Sequence, residues 1–190
     1  GNLKQRLHEQ GRLPWKDAIR LLVPIAEALD YTHAQNIIHR DVKPSNIMLS
    51  EDGIPLLTDF GVAKVVEEEV TGDLTGTAAA VGTPEYMAPE QTGRNIDHRV
   101  DIYALGIVLY EMVTGRRPYE ADTPLAVLVK RVSEPLPRPS QFAHELPEAL
   151  EKVLIKALAK RPEDRYARMQ DFANAMQGLL TSVIAPPVGE

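Results

Sequence analysis

The apolar run from Val100 to Val113 limits the fold of this 190-residue chain more than any other feature. The run is apolar on almost every side of a helix, and such a helix lies buried inside a domain. Gly115 suits the C-terminal stop of that helix. The stretch from Ile102 to Met112 is too short to cross a bilayer and is interrupted by Glu111. The run therefore predicts a helix at the centre of a folded domain.

Other patterns predict the elements around this helix. Apolar stripes with a 3.6-residue period predict helices over Trp15 to Ala34, Thr123 to Val132, Glu148 to Ala159 and Met169 to Leu180. Short apolar runs predict small strands at Ile37-Ile38, Ile47 to Leu49 and Leu56-Leu57. Residues 61–82 lack periodicity and predict one long loop. We expect one mostly helical domain over residues 1–180, with a small sheet, and a linker over residues 181–190.

Composition excludes several classes of function. The formal net charge is −6 and no dense basic run is present, so a nucleic-acid partner is not expected. The chain has no cysteine, which excludes disulfides and thiolate metal sites and suits a reducing cytoplasm.

The strongest chemical motif lies between two of the predicted strands, at residues 39–46. These residues read His39-Arg40-Asp41-Val42-Lys43-Pro44-Ser45-Asn46. Phosphoryl transfer needs a carboxylate near the attacking hydroxyl, a cation near the transferred phosphate and an oxygen ligand for Mg²⁺. The loop matches H-R-D-x-K-x-x-N at all fixed positions and so resembles the catalytic loop of protein kinases. The resemblance assigns the three roles to Asp41, Lys43 and Asn46, and makes His39 structural.

The resemblance continues at Asp59-Phe60-Gly61, which follows the last predicted strand as the D-F-G motif does in kinases. This tripeptide alone is weak evidence, but its place after residues 39–46 favours the functional interpretation. The family pattern implies that Asp59 holds the metal on the ATP phosphates and that Phe60 is a core and switch residue. It also places Met48 under the adenine ring, although a simple core position suits Met48 equally.

Residues 82–90 resemble the end of a kinase activation segment, because Ala88-Pro89-Glu90 matches its A-P-E motif. The resemblance implies that this segment holds a peptide substrate and that the Thr83 hydroxyl bonds Asp41 and Lys43. It also implies a buried ion pair between Glu90 and Arg165.

Three more expectations come from the same family. Asp101, which opens the apolar helix, is expected to steady the backbone of the catalytic loop. Arg40 is expected to bind a phosphate of the activation loop. Thr75 and Thr77 resemble the autophosphorylated threonines of bacterial receptor-like kinases.

Together these motifs resemble the C-terminal lobe of a eukaryotic-like Ser/Thr protein kinase of bacteria, a protein kinase-like α+β fold. Lys43 favours Ser/Thr over Tyr specificity. The resemblance implies ATP with Mg²⁺ or Mn²⁺, and protein substrates that carry Ser or Thr. No G-x-G occurs in the chain, so we expect the N-terminal lobe to be missing and residues 1–190 alone to be inactive. The family also suggests a cytoplasmic domain followed by a membrane span, and a homodimer of the full-length protein.

Two alternatives remain open at this point. A pseudokinase or docking module would share the fold without the chemistry, but such proteins usually lack at least one of Asp41, Lys43, Asn46 and Asp59. A small-molecule phosphotransferase would share the H-x-D loop, but residues 82–90 are typical of enzymes that bind peptides.

Overall fold

The computed structural model describes residues 1–60, 84–93 and 96–182. In chain order its regular elements are α1 (Leu3–Gln10), α2 (Trp15–Ala34), β1 (Ile47–Leu49), β2 (Pro55–Leu57), α3 (Arg99–Thr114), α4 (Pro124–Ser133), α5 (Glu148–Ala157) and α6 (Met169–Ser182). Single 3-10 turns cover Pro44–Asn46, Pro84–Tyr86, Pro89–Thr92, Pro139–Gln141 and Pro162–Asp164. Among the described residues, no helix is both long enough and apolar enough to span a bilayer.

Helix α3 is the predicted central helix. All of its residues except Arg99 and Glu111 are buried, and it packs against α2, α5 and α6. Gly106 permits a close approach to the end of α5, since a Cβ there would lie 3.0 Å from Leu158 Cδ2. The helix ends at Gly115, which has the left-handed φ of 78° that glycine adopts without strain.

The helices predicted from apolar periodicity are confirmed to within two residues at each end. The boundary of the tail differs slightly, because Thr181 and Ser182 belong to α6. Residues 183–190, and the loop predicted at residues 61–82, lie outside the described residues.

The strands predicted at Ile47 to Leu49 and Leu56-Leu57 are confirmed, but the one at Ile37-Ile38 is wrong. The N–H of Ile37 donates to Thr32 O at 2.9 Å and closes the turn that ends α2. Ile37 is half exposed, and neither isoleucine pairs with a strand within the described part of the chain. The backbone N–H of Ile37 therefore bonds to the end of α2 instead of to a neighbouring strand.

Strands β1 and β2 form an antiparallel hairpin in which Ile47 faces Leu57. The N–H of Thr58 donates to Asn46 O at 2.9 Å, which extends the pairing by one residue. The residues before β1 and after β2 therefore lie at the same end of the hairpin.

Candidate active site

The loop of residues 39–46 is fastened to α3 by the carboxylate of Asp101. Its Oδ2 accepts the N–H of His39 at 2.8 Å, and its Oδ1 accepts the N–H of Arg40 at 2.8 Å. Nε2 of His33, on α2, lies 2.8 Å from the same Oδ2. Asp101 is 1% exposed, so these partners replace water around the charge. They also hold Arg40 at a φ of 65°, a conformation that costs a residue with a Cβ roughly 1–2 kcal/mol.

Asp41 lies within this loop beside a cation and an amide. Lys43 Nζ is 2.7 Å from Asp41 Oδ2, and Asn46 Nδ2 is 3.2 Å from the same oxygen. Asn46 Nδ2 also donates to the backbone oxygen of Asp41 at 2.9 Å. The side chain of Asp41 is 26% exposed, so the carboxylate is held in place yet accessible. A carboxylate in this position can orient a hydroxyl group or accept its proton.

His39 connects this loop to the chain that follows β2. Its Nδ1 accepts the N–H of Asp41 at 3.2 Å, and Nε2 therefore donates to Thr58 O at 3.0 Å. The His39 ring is fully buried and lies 4.6 Å from the ring of Phe60. His39 and Phe60 thus hold the loop of residues 39–46 against the segment that follows β2.

Asn46 and Asp59 lie at the same end of the hairpin, where they fit a magnesium site. Asn46 O accepts two bonds from Thr58, from its N–H at 2.9 Å and from its Oγ1 at 3.2 Å. Asp59 is the next residue, is exposed, and has a φ of 59°. Mg²⁺ prefers oxygen ligands and needs only one or two from the protein when phosphates supply others. The carboxylate of Asp59 and the side-chain oxygen of Asn46 are ligands of that kind.

The outer face of the hairpin is apolar and exposed. Met48 is 38% exposed, and its neighbours Leu56 and Ile54 are 55% and 56% exposed. Met48 therefore lies at the surface of the described residues and outside their core, and its place under the adenine ring stays a prediction. An exposed apolar group of this kind is typical of a surface that contacts a ligand or another part of a protein.

Glu90 and Arg165 form the predicted ion pair. Arg165 donates to both carboxylate oxygens of Glu90, at 2.6 and 2.8 Å. Its other three N–H groups donate to the backbone oxygens of Ala159, Arg99 and Lys160. The guanidinium is fully buried, and all of its five donors have partners. This pair joins the turn at Pro89–Thr92 to the turn at Pro162–Asp164.

Comparison with known proteins identifies the family of this arrangement. A family model described as the protein kinase domain matches residues 1–177. The chain belongs to the protein kinase family.

Individual relatives of this kinase-family chain come from bacteria. The serine/threonine-protein kinases PknB of Mycobacterium leprae and of Mycobacterium tuberculosis are each 42% identical to it over 166 residues, which is 86% of this chain and 26% of each relative. A probable serine/threonine-protein kinase of Clostridium acetobutylicum is 37% identical over 183 residues, 96% of this chain and 27% of the relative. The chain thus spans about a quarter of the length of these curated relatives.

The contacts of Gln91 and of Tyr86 were not predicted from the sequence. Gln91 Nε2 donates to Arg40 O at 2.9 Å, and Gln91 Oε1 accepts the N–H of Ala88 at 2.9 Å. The Tyr86 hydroxyl donates to Glu111 Oε2 at 2.6 Å. Burial raises the pKa of Glu111, and burial together with Glu111 raises that of Tyr86. The sequence could have indicated a buried partner for Glu111, because this residue is the one carboxylate in the middle of the apolar helix.

Several predicted site residues cannot be placed relative to this loop. Thr83, Thr75 and Thr77 lie outside the described residues. The predicted bond from Thr83 to Asp41 and Lys43, and the two phosphorylation sites, therefore remain predictions.

Proposed function

We propose that this chain is the C-terminal lobe of a bacterial protein serine/threonine kinase, which transfers the γ-phosphate of ATP to Ser and Thr hydroxyls of proteins. The observation that carries the proposal is the contact of Asp41 with Lys43 and Asn46, at 2.7 and 3.2 Å, in a loop fastened to the core by Asp101. The names of the relatives support Ser/Thr specificity, as does Lys43 two residues after Asp41.

In this proposal Asp41 orients the hydroxyl of the protein substrate and accepts its proton. Lys43 is placed beside that carboxylate, where its charge also stabilises the transferred phosphate. Asn46 and Asp59 hold Mg²⁺ through oxygen atoms. The ion supplies positive charge that neutralises the phosphates of ATP. Met48 forms one wall of the adenine site, on the exposed face of the hairpin.

In this proposal, residues 1–190 alone are a poor enzyme. A kinase also needs a glycine-rich loop and a strand lysine, which clamp the phosphates from an N-terminal lobe. The exposed side chains of Met48, Ile54 and Leu56 are a surface that such a lobe would cover. Without it, the stabilisation of the transition state is lost.

In this proposal, phosphorylation of the activation loop regulates the kinase. Arg40 binds a phosphate on Thr75 or Thr77 and thereby orders the activation loop. By resemblance to the family, we also propose that the full-length protein forms a homodimer and that a membrane span anchors its cytoplasmic kinase domain.

The test uses the protein extended upstream of Gly1, incubated with ATP and Mg²⁺ and mapped for phosphate by mass spectrometry. We expect phosphate on Thr75 or Thr77 in the unmodified protein and none in the Asp41→Asn variant. If neither protein incorporates phosphate while both still bind ATP, the pseudokinase alternative is correct.

A further inference from the structure

Arg131, on α4, is a buried cation that has no carboxylate partner within residues 1–60, 84–93 and 96–182. It is 1% exposed, and it shares the inward face of α4 with Val127, four residues earlier. Burial lowers the pKa of its guanidinium. A buried charge is expensive unless it is paired, so a residue of this kind calls for an explanation.

The partners of Arg131 are two backbone oxygens of a single short segment. Nη1 donates to Met87 O, and Nη2 donates to Glu85 O at 2.9 Å. Nε has no hydrogen-bond partner among the described residues. Arg165 differs in this respect, because all of its donors are used and two of them bind Glu90. The guanidinium also lies over the Tyr103 ring, 5.8 Å from its centroid, while its two hydrogen bonds act on the position of residues 85–87.

The segment of residues 84–88 depends on such side-chain contacts. Its backbone forms a single 3-10 turn, with a bond from Met87 N–H to Pro84 O at 3.3 Å. Tyr86 is held by Glu111, and Glu85 Oε1 lies 3.3 Å from Arg117 Nη1. The second carboxylate oxygen of Glu85 is buried without a partner among the described residues. Beyond the single 3-10 turn Pro84–Tyr86, side chains of other elements therefore supply much of what holds this segment in place.

Residues 86 and 87 also border the loop that carries Asp41. Tyr86 and Met87 line one small cavity together with Arg40, Asp41, Val42 and Ala104. A shift of the Met87 backbone would therefore change a cavity that Asp41 also lines. Helix α4 packs on the turn Pro84–Tyr86, so Arg131 connects that helix to the surroundings of Asp41.

We propose that Arg131 is a positioning residue for the peptide substrate: it fixes the backbone of residues 85–87, so that the peptide binds with its acceptor hydroxyl at Asp41. The proposal rests on the proposed kinase function. It assigns Arg131 a role in binding the peptide, and none in binding ATP or in the chemical step. The guanidinium suits this role because its rigid fork binds two carbonyl oxygens at a set separation.

The test compares Arg131→Met with the unmodified protein extended upstream of Gly1. Methionine keeps an unbranched chain and removes both hydrogen bonds. We expect the KM for a peptide of residues 70–80 to rise about tenfold, the change expected for a charge-assisted hydrogen bond. The KM for ATP and the hydrolysis of ATP by water should stay within about twofold, since neither needs a bound peptide.

A matched control and a rescue variant separate positioning from general damage. Lys130→Met removes the neighbouring charge, whose Nζ binds Glu120 O at an exposed site, and should leave every constant unchanged. Arg131→Lys keeps a buried donor and should recover part of the peptide affinity. A parallel fall of peptide phosphorylation and ATP hydrolysis in Arg131→Met would show a merely structural role and overturn the proposal.

Hydrogen exchange gives a second readout that does not depend on activity. The amides of residues 85–88 should exchange faster in Arg131→Met, while those of α3 should not change. If the unmodified protein phosphorylates itself and these exchange rates are equal in both proteins, the kinase function stands and the role of Arg131 is wrong. If the unmodified protein modifies neither itself nor the peptide, the proposed function fails and this role fails with it.

Discussion

The loop of residues 39–46 and the segment of residues 84–91 are both irregular, but buried side chains hold them with opposite chemistry. In the loop, the carboxylate of Asp101 accepts two backbone N–H groups. In the segment, the guanidinium of Arg131 donates to two backbone oxygens, and that of Arg165 binds Glu90. Neither segment has regular structure beyond single 3-10 turns, so buried side chains of other elements pair with its backbone groups.

The two regions differ in how many hydrogen-bonding groups of the buried side chain have partners. Each oxygen of Asp101 has at least one donor, and the amides it binds are adjacent in sequence. Nε of Arg131 has no hydrogen-bond partner among the described residues. We therefore expect the loop around Asp41 to be the more rigid region and residues 84–88 to be the more easily displaced one. The following predictions test this contrast, from the largest expected effect to the smallest.

Replacement of Arg165 by leucine should have the largest effect on folding. It would leave the carboxylate of Glu90, whose side chain is 18% exposed, without its partner, and breaking a buried pair typically costs about 3–5 kcal/mol of unfolding free energy. Urea denaturation measures the loss. The control is Arg161→Leu, since Arg161 makes a 2.6 Å pair with Glu163 at the surface and should matter little. Equal losses in the two variants would contradict the account.

Asp101→Asn should come next, with a loss of about 2–3 kcal/mol, because the amide replaces one acceptor oxygen by a donor. The N–H of His39 or of Arg40 then loses its partner. We expect faster hydrogen exchange at both amides, along with the lower urea midpoint. Asp17→Asn, in the exposed pair with Arg20, is the control. A loss of stability without faster exchange at these amides would show that Asp101 does not hold the loop.

Gln91→Glu should impair turnover more than folding. The carboxylate cannot donate to Arg40 O, so the peptide group that leads into Asp41 loses this bond and keeps the one from Asp41 N–H to His39 Nδ1. We expect kcat to fall about tenfold, as for loss of one hydrogen bond, with little change in the KM for ATP. Gln170→Glu is the matched control, because Gln170 binds Asn174 at the surface. An unchanged kcat in Gln91→Glu would remove Gln91 from the site.

Structural features that depend on local sequence patterns or on known motifs could be predicted from the sequence. Helix α3, the hairpin and the motif at residues 39–46 are encoded in contiguous residues, and the pair of Glu90 with Arg165 came with the family resemblance. Arg131 was not predicted, because its carbonyl partners lie 44 and 46 residues away in sequence. The pattern of α4 also misleads: Leu125 and Val129 are exposed while Arg131 faces inward. Ile37-Ile38 resembled a strand because a short apolar run does not reveal whether a partner strand exists.

The smallest effect should appear in the dependence of stability on pH. Burial raises the pKa of Glu111 above its usual value of 4.5 in the folded protein. The folded state therefore holds this proton more tightly than the unfolded state, and stability falls as pH rises from 4.5 through the raised pKa. Glu111→Gln removes that titration, so its unfolding free energy should decline less over the same range. Parallel pH profiles for the two proteins would contradict the assignment.

The proposed function gives residues 39–59 two separate tasks. Asp41 takes part in the chemical step, whereas Asn46 and Asp59 bind the nucleotide through Mg²⁺. The most direct test is calorimetric titration with ATP, with and without Mg²⁺, beside single-turnover phosphorylation, in the protein extended upstream of Gly1. We predict that Asp41→Asn binds ATP with its full dependence on Mg²⁺ and transfers no phosphate, whereas Asp59→Asn loses the dependence on Mg²⁺. Phosphate transfer by Asp41→Asn at the unmodified rate, or Mg²⁺-dependent binding that survives in Asp59→Asn, would contradict the account.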